Sequence, residues 1–205
     1  MAGYANNITP EGVNRWERFF RDRSSEVLAS GTPYVELAYG PHPRQRMDCF
    51  RSPAARADAP TLIAIHGGLW FFFDRWMMHF LVPAFTAAGI HMACPSYRLA
   101  PEQALSDIVA DCQLVGFSTG DYQRWNPIAH VHPRIPPALL VTGQRESPWL
   151  HEMKSVYQHA LHAAGVTAED TDAPDECHFS VLSAIGQSES ALHRRVREFV
   201  QGTAV

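Results

Sequence analysis

Between Thr61 and Trp70 the chain reads Thr-Leu-Ile-Ala-Ile-His-Gly-Gly-Leu-Trp, a short apolar run that stops abruptly at His66-Gly67-Gly68. A run of this kind, bounded by turn formers, suits a strand buried on both faces, as where helices cover a parallel sheet. Two glycines directly behind it remove the Cβ that opposes a left-handed backbone, so the chain can turn with successive N–H groups pointing outward. Such a turn can hold a negatively charged oxygen. A plain strand-to-loop turn uses the same glycines, and the rest of the chain has to decide between the two.

The surrounding pattern is that of alternating strands and helices. Glu11 to Leu28 places Val13, Trp16, Phe20 and Val27 along one helical face. Tyr34 to Tyr39 and Arg46 to Phe50 are β-prone runs around Gly40-Pro41-His42-Pro43, which reads as an edge hairpin. Leu62 to Ile65 and Ile90 to Cys94 flank a helical stretch from Arg75 to Ala88 that ends at Gly89, giving a βαβ unit. Pro137 to Thr142 is a further strand, followed by a helix from Pro148 to Ala164 with Ser147 as N-cap and Gly165 behind its end. Val166 to Thr171 and a helix from Ser188 to Gln201 complete the order. A hairpin followed by parallel βα units predicts an α/β fold: one three-layer sheet in a single domain over residues 1–205.

At 205 residues with 46% hydrophobic content the chain can bury a sizeable core. A net charge of −4 offers no basic footprint for nucleic acid, and no membrane segment or signal peptide is evident, so a cytoplasmic protein acting on small molecules is expected, a homodimer being allowed. Cys49, Cys94, Cys112 and Cys177 lack metal or disulfide spacing and read as reduced thiols. His130 and His132 share one face of an extended segment but have no acidic or cysteine cluster beside them, so no metal is expected.

Four stretches taken together, His66-Gly67-Gly68-Leu69-Trp70, Pro95-Ser96-Tyr97-Arg98-Leu99-Ala100-Pro101-Glu102, Gly143-Gln-Arg-Glu146-Ser-Pro and His178-Phe179, resemble the α/β-hydrolase superfamily. The nearest likeness is to kynurenine formamidases (arylformamidases) and hormone-sensitive-lipase-like esterases, over Trp16 to Val200. The resemblance implies the chain order nucleophile, acid, base. It makes Glu146, just past a strand end, the acid that orients a histidine, with Asp172 and Asp175 as fallbacks. His178 becomes the general base, and Gly67 and Gly68 the oxyanion donors. No cofactor is implied. His66, Trp70 and Phe71 are expected to line a pocket for an acyl or aryl group, although packing of the following helix explains such aromatics as well.

The nucleophile is ambiguous. Gly116-Phe117-Ser118-Thr119-Gly120 spells GxSxG, the strained elbow that exposes a serine hydroxyl. Yet only 13 residues separate Glu102 from Gly116, few for a crossover helix plus a receiving strand, and only Leu114 and Val115 could serve as strand before the elbow. Ser118 followed by Asp121 equally forms a helix-capping pattern. The 28 positions from Ser118 to Glu146 hold about one βα unit, so the chain reads as shortened between Gln113 and Leu114. Two functions stay open: hydrolysis of small esters or formamides, with Ser118 as candidate nucleophile, or a catalytically silent relative acting in binding or assembly.

Overall fold

The computed structural model describes residues 10–115, 128 and 131–202. Contacts divide the chain into two compact units, one of Glu17–Thr119 and one of Met1–Trp16 with Gly120–Thr203. Both are built from strands with helices between them, as expected of an α/β fold.

The first unit takes most of α1 (Pro10–Ala29), whose Phe20 and Val27 are buried. Between them Ser24 accepts the Phe80 N–H at 3.2 Å and donates to the Met77 carbonyl at 3.4 Å, which gives a polar side chain in the core its partners. The hairpin forms as β1 (Val35–Ala38) and β2 (Arg46–Phe50), with Val35 opposite Cys49. β2 also pairs antiparallel with β4 (His91–Pro95), and β4 pairs parallel with β3 (Thr61–Ile63), so the order is β1-β2-β4-β3. The helical stretch between β3 and β4 is a 3₁₀ segment, Arg75–Leu81, followed by α2 (Val82–Ala87). Pro83 has no N–H to give to the turn before it, so one α-helix cannot run through from Arg75. Phe85, Ile90, Met92 and Phe50 fill the core beneath.

β3 departs from the sequence reading. Thr61 and Ile63, which share one face of the strand, are exposed instead of buried, and no strand among the described residues pairs with its other side.

The segment behind β4 is held by a buried charge. Asp111, on α3 (Leu105–Leu114), is fully buried. It receives the Arg98 guanidinium at 2.8 to 3.1 Å, the Arg98 backbone N–H at 2.9 Å and the Gln45 amide at 2.8 Å. Burial alone would raise its carboxyl pKa, but the hydrogen bonds from Arg98 and Gln45 outweigh it and hold the carboxyl below its ordinary range. A second buried carboxylate, Asp48 on β2, pairs with Arg75 and with His79, both at 2.9 Å. Neither network is visible as a sequence motif.

The second unit holds β5 (Ala138–Gly143), α4 (Pro148–Ala163) and β6 (Ala168–Ala173), a parallel pair running from Ala138 opposite Ala168 to Gly143 opposite Ala173. The Ser147 hydroxyl accepts the Leu150 N–H at 3.4 Å, Pro148 starts the helix, and Gly165 behind it sits at φ +77°. Leu161, Val166 and Ala168 are buried together. After β6 come α5 (Ser180–Ile185), six residues and too short to show a period, and α6 (Ala191–Gly202). α6 begins later than Ser188 because Ser190 caps it, its hydroxyl accepting the His193 N–H at 2.8 Å. Among the described residues no helix is long and apolar enough to cross a membrane.

Removing the Asp111 carboxylate leaves Arg98 with only the distant, half-exposed Asp107 carboxylate, at 3.9 Å, as counter-charge. Asp111→Ala is expected to cost about 3–5 kcal/mol, read as a lower urea midpoint at unchanged slope. Because the folded carboxyl titrates below its unfolded value, this contribution is present above about pH 4 and lost as pH falls further, so the variant should show a flatter acid limb than the parent protein.

Candidate active site

Two loops at the carboxyl ends of β5 and β6 bring Glu146 and His178 together. The loop after β5 is stitched to the one after β6 by the Gln144 N–H to the Ala173 carbonyl and the Arg145 N–H to the Glu176 carbonyl, both 2.8 Å. Gly143 makes this approach possible: a Cβ there would lie 2.5 Å from the Glu176 carbonyl oxygen. Glu146 then turns back through its N–H to the Gly143 carbonyl at 3.0 Å.

The result is a hydrogen bond of 2.9 Å between His178 Nδ1 and Glu146 Oε1. The two side chains differ in exposure, 5% for the carboxylate and 47% for the imidazole. A buried acid therefore fixes one ring nitrogen as the N–H donor and leaves Nε2, the basic lone pair, on the open side. Phe179 packs edge-on to the His178 ring at 5.2 Å and stacks on Trp16 at 6.2 Å, which supports the ring from behind. The fallback acids do not reach His178. Asp172 accepts from the Thr142 hydroxyl at 2.5 Å and from Lys154 at 2.6 Å, and hydrogen bonds from these two groups lower its pKa. Asp175 sits at φ +61°, with its N–H on the Gln144 side-chain oxygen at 3.4 Å.

In the other unit the His66-Gly67-Gly68 turn has the character its sequence suggests. Gly68 is at φ +114°, and any Cβ there would run into the Phe72 carbonyl oxygen. The Gly68 carbonyl accepts the N–H groups of Phe71 at 3.0 Å and Phe72 at 2.9 Å, closing a tight turn. Among the described residues neither the Gly67 nor the Gly68 amide has an acceptor, so both remain able to bind an anion. Leu69, Trp70 and Phe73 occupy the left-handed region at φ +52°, +66° and +75°, a conformation that costs a side-chain-bearing residue roughly 1–2 kcal/mol.

His66 is 2% exposed and lies flat on Tyr97, with ring centroids 4.2 Å apart. The Tyr97 hydroxyl donates to the His66 carbonyl at 2.8 Å. Burial pushes the imidazole pKa down to about 4, so at neutral pH the ring is uncharged. Its Nδ1 faces the Gly67 carbonyl at 2.8 Å and must carry the proton, since a carbonyl only accepts. His66 thus braces the turn from inside. Trp70 and Phe71, expected to line a pocket, are 42% and 53% exposed.

Ser118 and the rest of the GxSxG string lie outside the described residues, as does His130. What precedes the string is informative: Leu114 is the last residue of α3 and Val115 is in a turn, so neither is a strand. Helix α3 also runs without interruption through Gln113 and Leu114. All four cysteines are free thiols, and among the described residues no cluster of His, Cys, Asp and Glu could hold a metal ion.

No family model matches the chain. A probable isoprenylcysteine alpha-carbonyl methylesterase of Arabidopsis thaliana is 31% identical over 75 residues, 37% of this chain, and the chain spans only 18% of that protein's length. Among solved structures, a protein of Silicibacter sp. described as a thioesterase superposes with a TM-score of 0.74 at 16% identity, covering 98% of both chains. The Pyrobaculum calidifontis esterase does so with a TM-score of 0.65 at 14% identity, covering 94% of each. The chain has the α/β-hydrolase fold of these esterases.

The braced turn carries a pH signature. The unfolded chain takes up a proton on His66 below about pH 6.5, while the folded chain resists until about pH 4. Stability is therefore full above the ordinary histidine pKa and lost across that window, by on the order of 3 kcal/mol. Urea titrations between pH 7 and pH 4 should show this slope, and His66→Phe, which keeps a ring on Tyr97, should flatten it.

Proposed function

We propose that this protein hydrolyses small acyl or aryl esters by acyl transfer to water. The observation that carries the proposal is the Glu146–His178 hydrogen bond, with its buried carboxylate and half-exposed imidazole. In this reading Nε2 of His178 takes the proton from a nucleophilic hydroxyl and later returns it to the leaving group. Glu146 holds the tautomer and stabilises the imidazolium that forms between those steps. Gly67 and Gly68 are assigned the oxyanion, on the strength of their unengaged amides, and Ser118 is the nucleophile that the GxSxG string nominates. Formamides of aryl amines belong to the same acyl class, supported by the arylformamidase-like motifs. The name of the Arabidopsis relative adds methyl esters of S-alkylated cysteine as a third substrate type.

One observation favours a second reading. Leu105–Leu114 is helical and Val115 is in a turn, so the described residues nearest Ser118 do not form the strand that an elbow needs. On that reading the chain is catalytically silent, and Ser118 is expected to act as a helix cap, as its spacing to Asp121 suggests.

Turnover of p-nitrophenyl acetate, an N-formyl aryl amine and an S-alkyl cysteine methyl ester separates the two. The hydrolase reading expects activity that His178→Ala and Glu146→Ala each lower at least about a hundredfold in kcat/KM, with Ser118→Ala equally damaging. The silent reading expects no turnover above buffer, and Ser118→Ala shifting stability by only about 1 kcal/mol.

A further inference from the structure

Directly behind the paired glycines stand four consecutive exposed apolar residues: Leu69 at 78%, Trp70 at 42%, Phe71 at 53% and Phe72 at 59%. Consecutive apolar residues in solvent are avoided unless they have a task. Aromatic side chains present 150–250 Å² each, so these four expose together roughly 400–500 Å². That area is about half of what one partner contributes to a stable protein interface, and it comes from one short turn instead of 20–30 residues.

We infer that the Leu69–Phe72 turn is a contact for a lipid surface, inserting its side chains at the boundary between headgroups and acyl chains. Two features point to that occupant over a second protein. From His66 to Phe73 there is no charged residue, so entry strips water from no ion. The next two charges are already engaged: Asp74 accepts from the Ser96 hydroxyl at 2.5 Å, and Arg75 pairs with Asp48 at 2.9 Å. Finally, Leu, Trp and Phe are the residues that membrane interfaces favour, and a fluid surface requires no shape complementarity from so small a patch. Contact of this kind needs no spanning helix, and it does not depend on the chain being catalytic.

The test uses the full chain with phosphatidylcholine vesicles. The parent protein should float with the vesicles, and brominated phosphatidylcholine should quench its tryptophan emission. Leu69→Asn/Phe72→Ser, with asparagine chosen to tolerate the left-handed backbone, should lower the bound fraction at least fivefold while its circular-dichroism melting midpoint stays put. In a second arm, Trp70→Phe keeps the apolar surface. Vesicle binding should persist, but most of the bromine quenching should vanish although four of the five tryptophans remain. The proposal is overturned if the parent protein fails to float at millimolar lipid, if the double variant binds as well as the parent, or if Trp70→Phe is quenched as strongly. A lipid-free dimer that the double variant dissociates would equally overturn it, by showing that a second copy covers the turn.

Discussion

A full negative charge on Asp111, at a place that water does not reach, is the constraint on which the larger sheet unit is arranged. An ion so placed is tolerable only when its acceptor sites are met, and here the partners come to α3 from two separate stretches of chain, the loop ahead of β2 and the segment behind β4. The charge thereby fixes where the segment following β4 can go. That segment includes Tyr97, whose hydroxyl grips the His66 carbonyl and whose ring lies against the His66 imidazole. The glycine turn is held in its strained form through this chain of contacts, from carboxylate to guanidinium to phenol to backbone. A polar core is thus used to place a loop, a task that apolar packing, being non-directional, performs less well.

The second unit solves a similar problem with main chain. Two backbone hydrogen bonds join the loops after β5 and β6, and a glycine at the end of β5 lets them meet. The acid and the base are consequently carried by the ends of neighbouring parallel strands, the position at which open α/β sheets gather ligand groups. A side chain at position 143 would push the two loops apart without touching either functional residue.

How much of this could be read from the amino acids differs by element. The hairpin, both parallel pairs and the helix capped by Ser147 were legible because local signals agreed: β-prone runs, turn residues and caps in register. Glu146 and His178 were legible as strand-end residues within recognisable motifs, and the structure brings them to hydrogen-bonding distance. The exposure of β3 was not legible, because an apolar run looks the same at the centre of a sheet and at its rim. Nor was the Asp48, Arg75 and His79 network, whose members lie 27 and 4 positions apart (75 − 48 and 79 − 75) and meet only after β2 and the 3₁₀ segment have packed. The exposure of the aromatic turn was not legible for a related reason. Sequence gives the apolar character of Trp70 and Phe71 but not the side on which the solvent lies.

The two edges of the smaller sheet are unlike. β6 carries Glu169, Asp170 and Asp172, exposed and paired with Arg195 and Lys154. β5, reading Ala-Leu-Leu-Val-Thr-Gly, has no charge along its length, and no strand among the described residues pairs with its other side. Charged rims keep strands from recruiting neighbours, whereas an uncharged rim is a template for extended chain of any origin. A like-charged side chain placed along this six-residue segment, as β6 already carries, would be expected to keep extended chains from pairing with it.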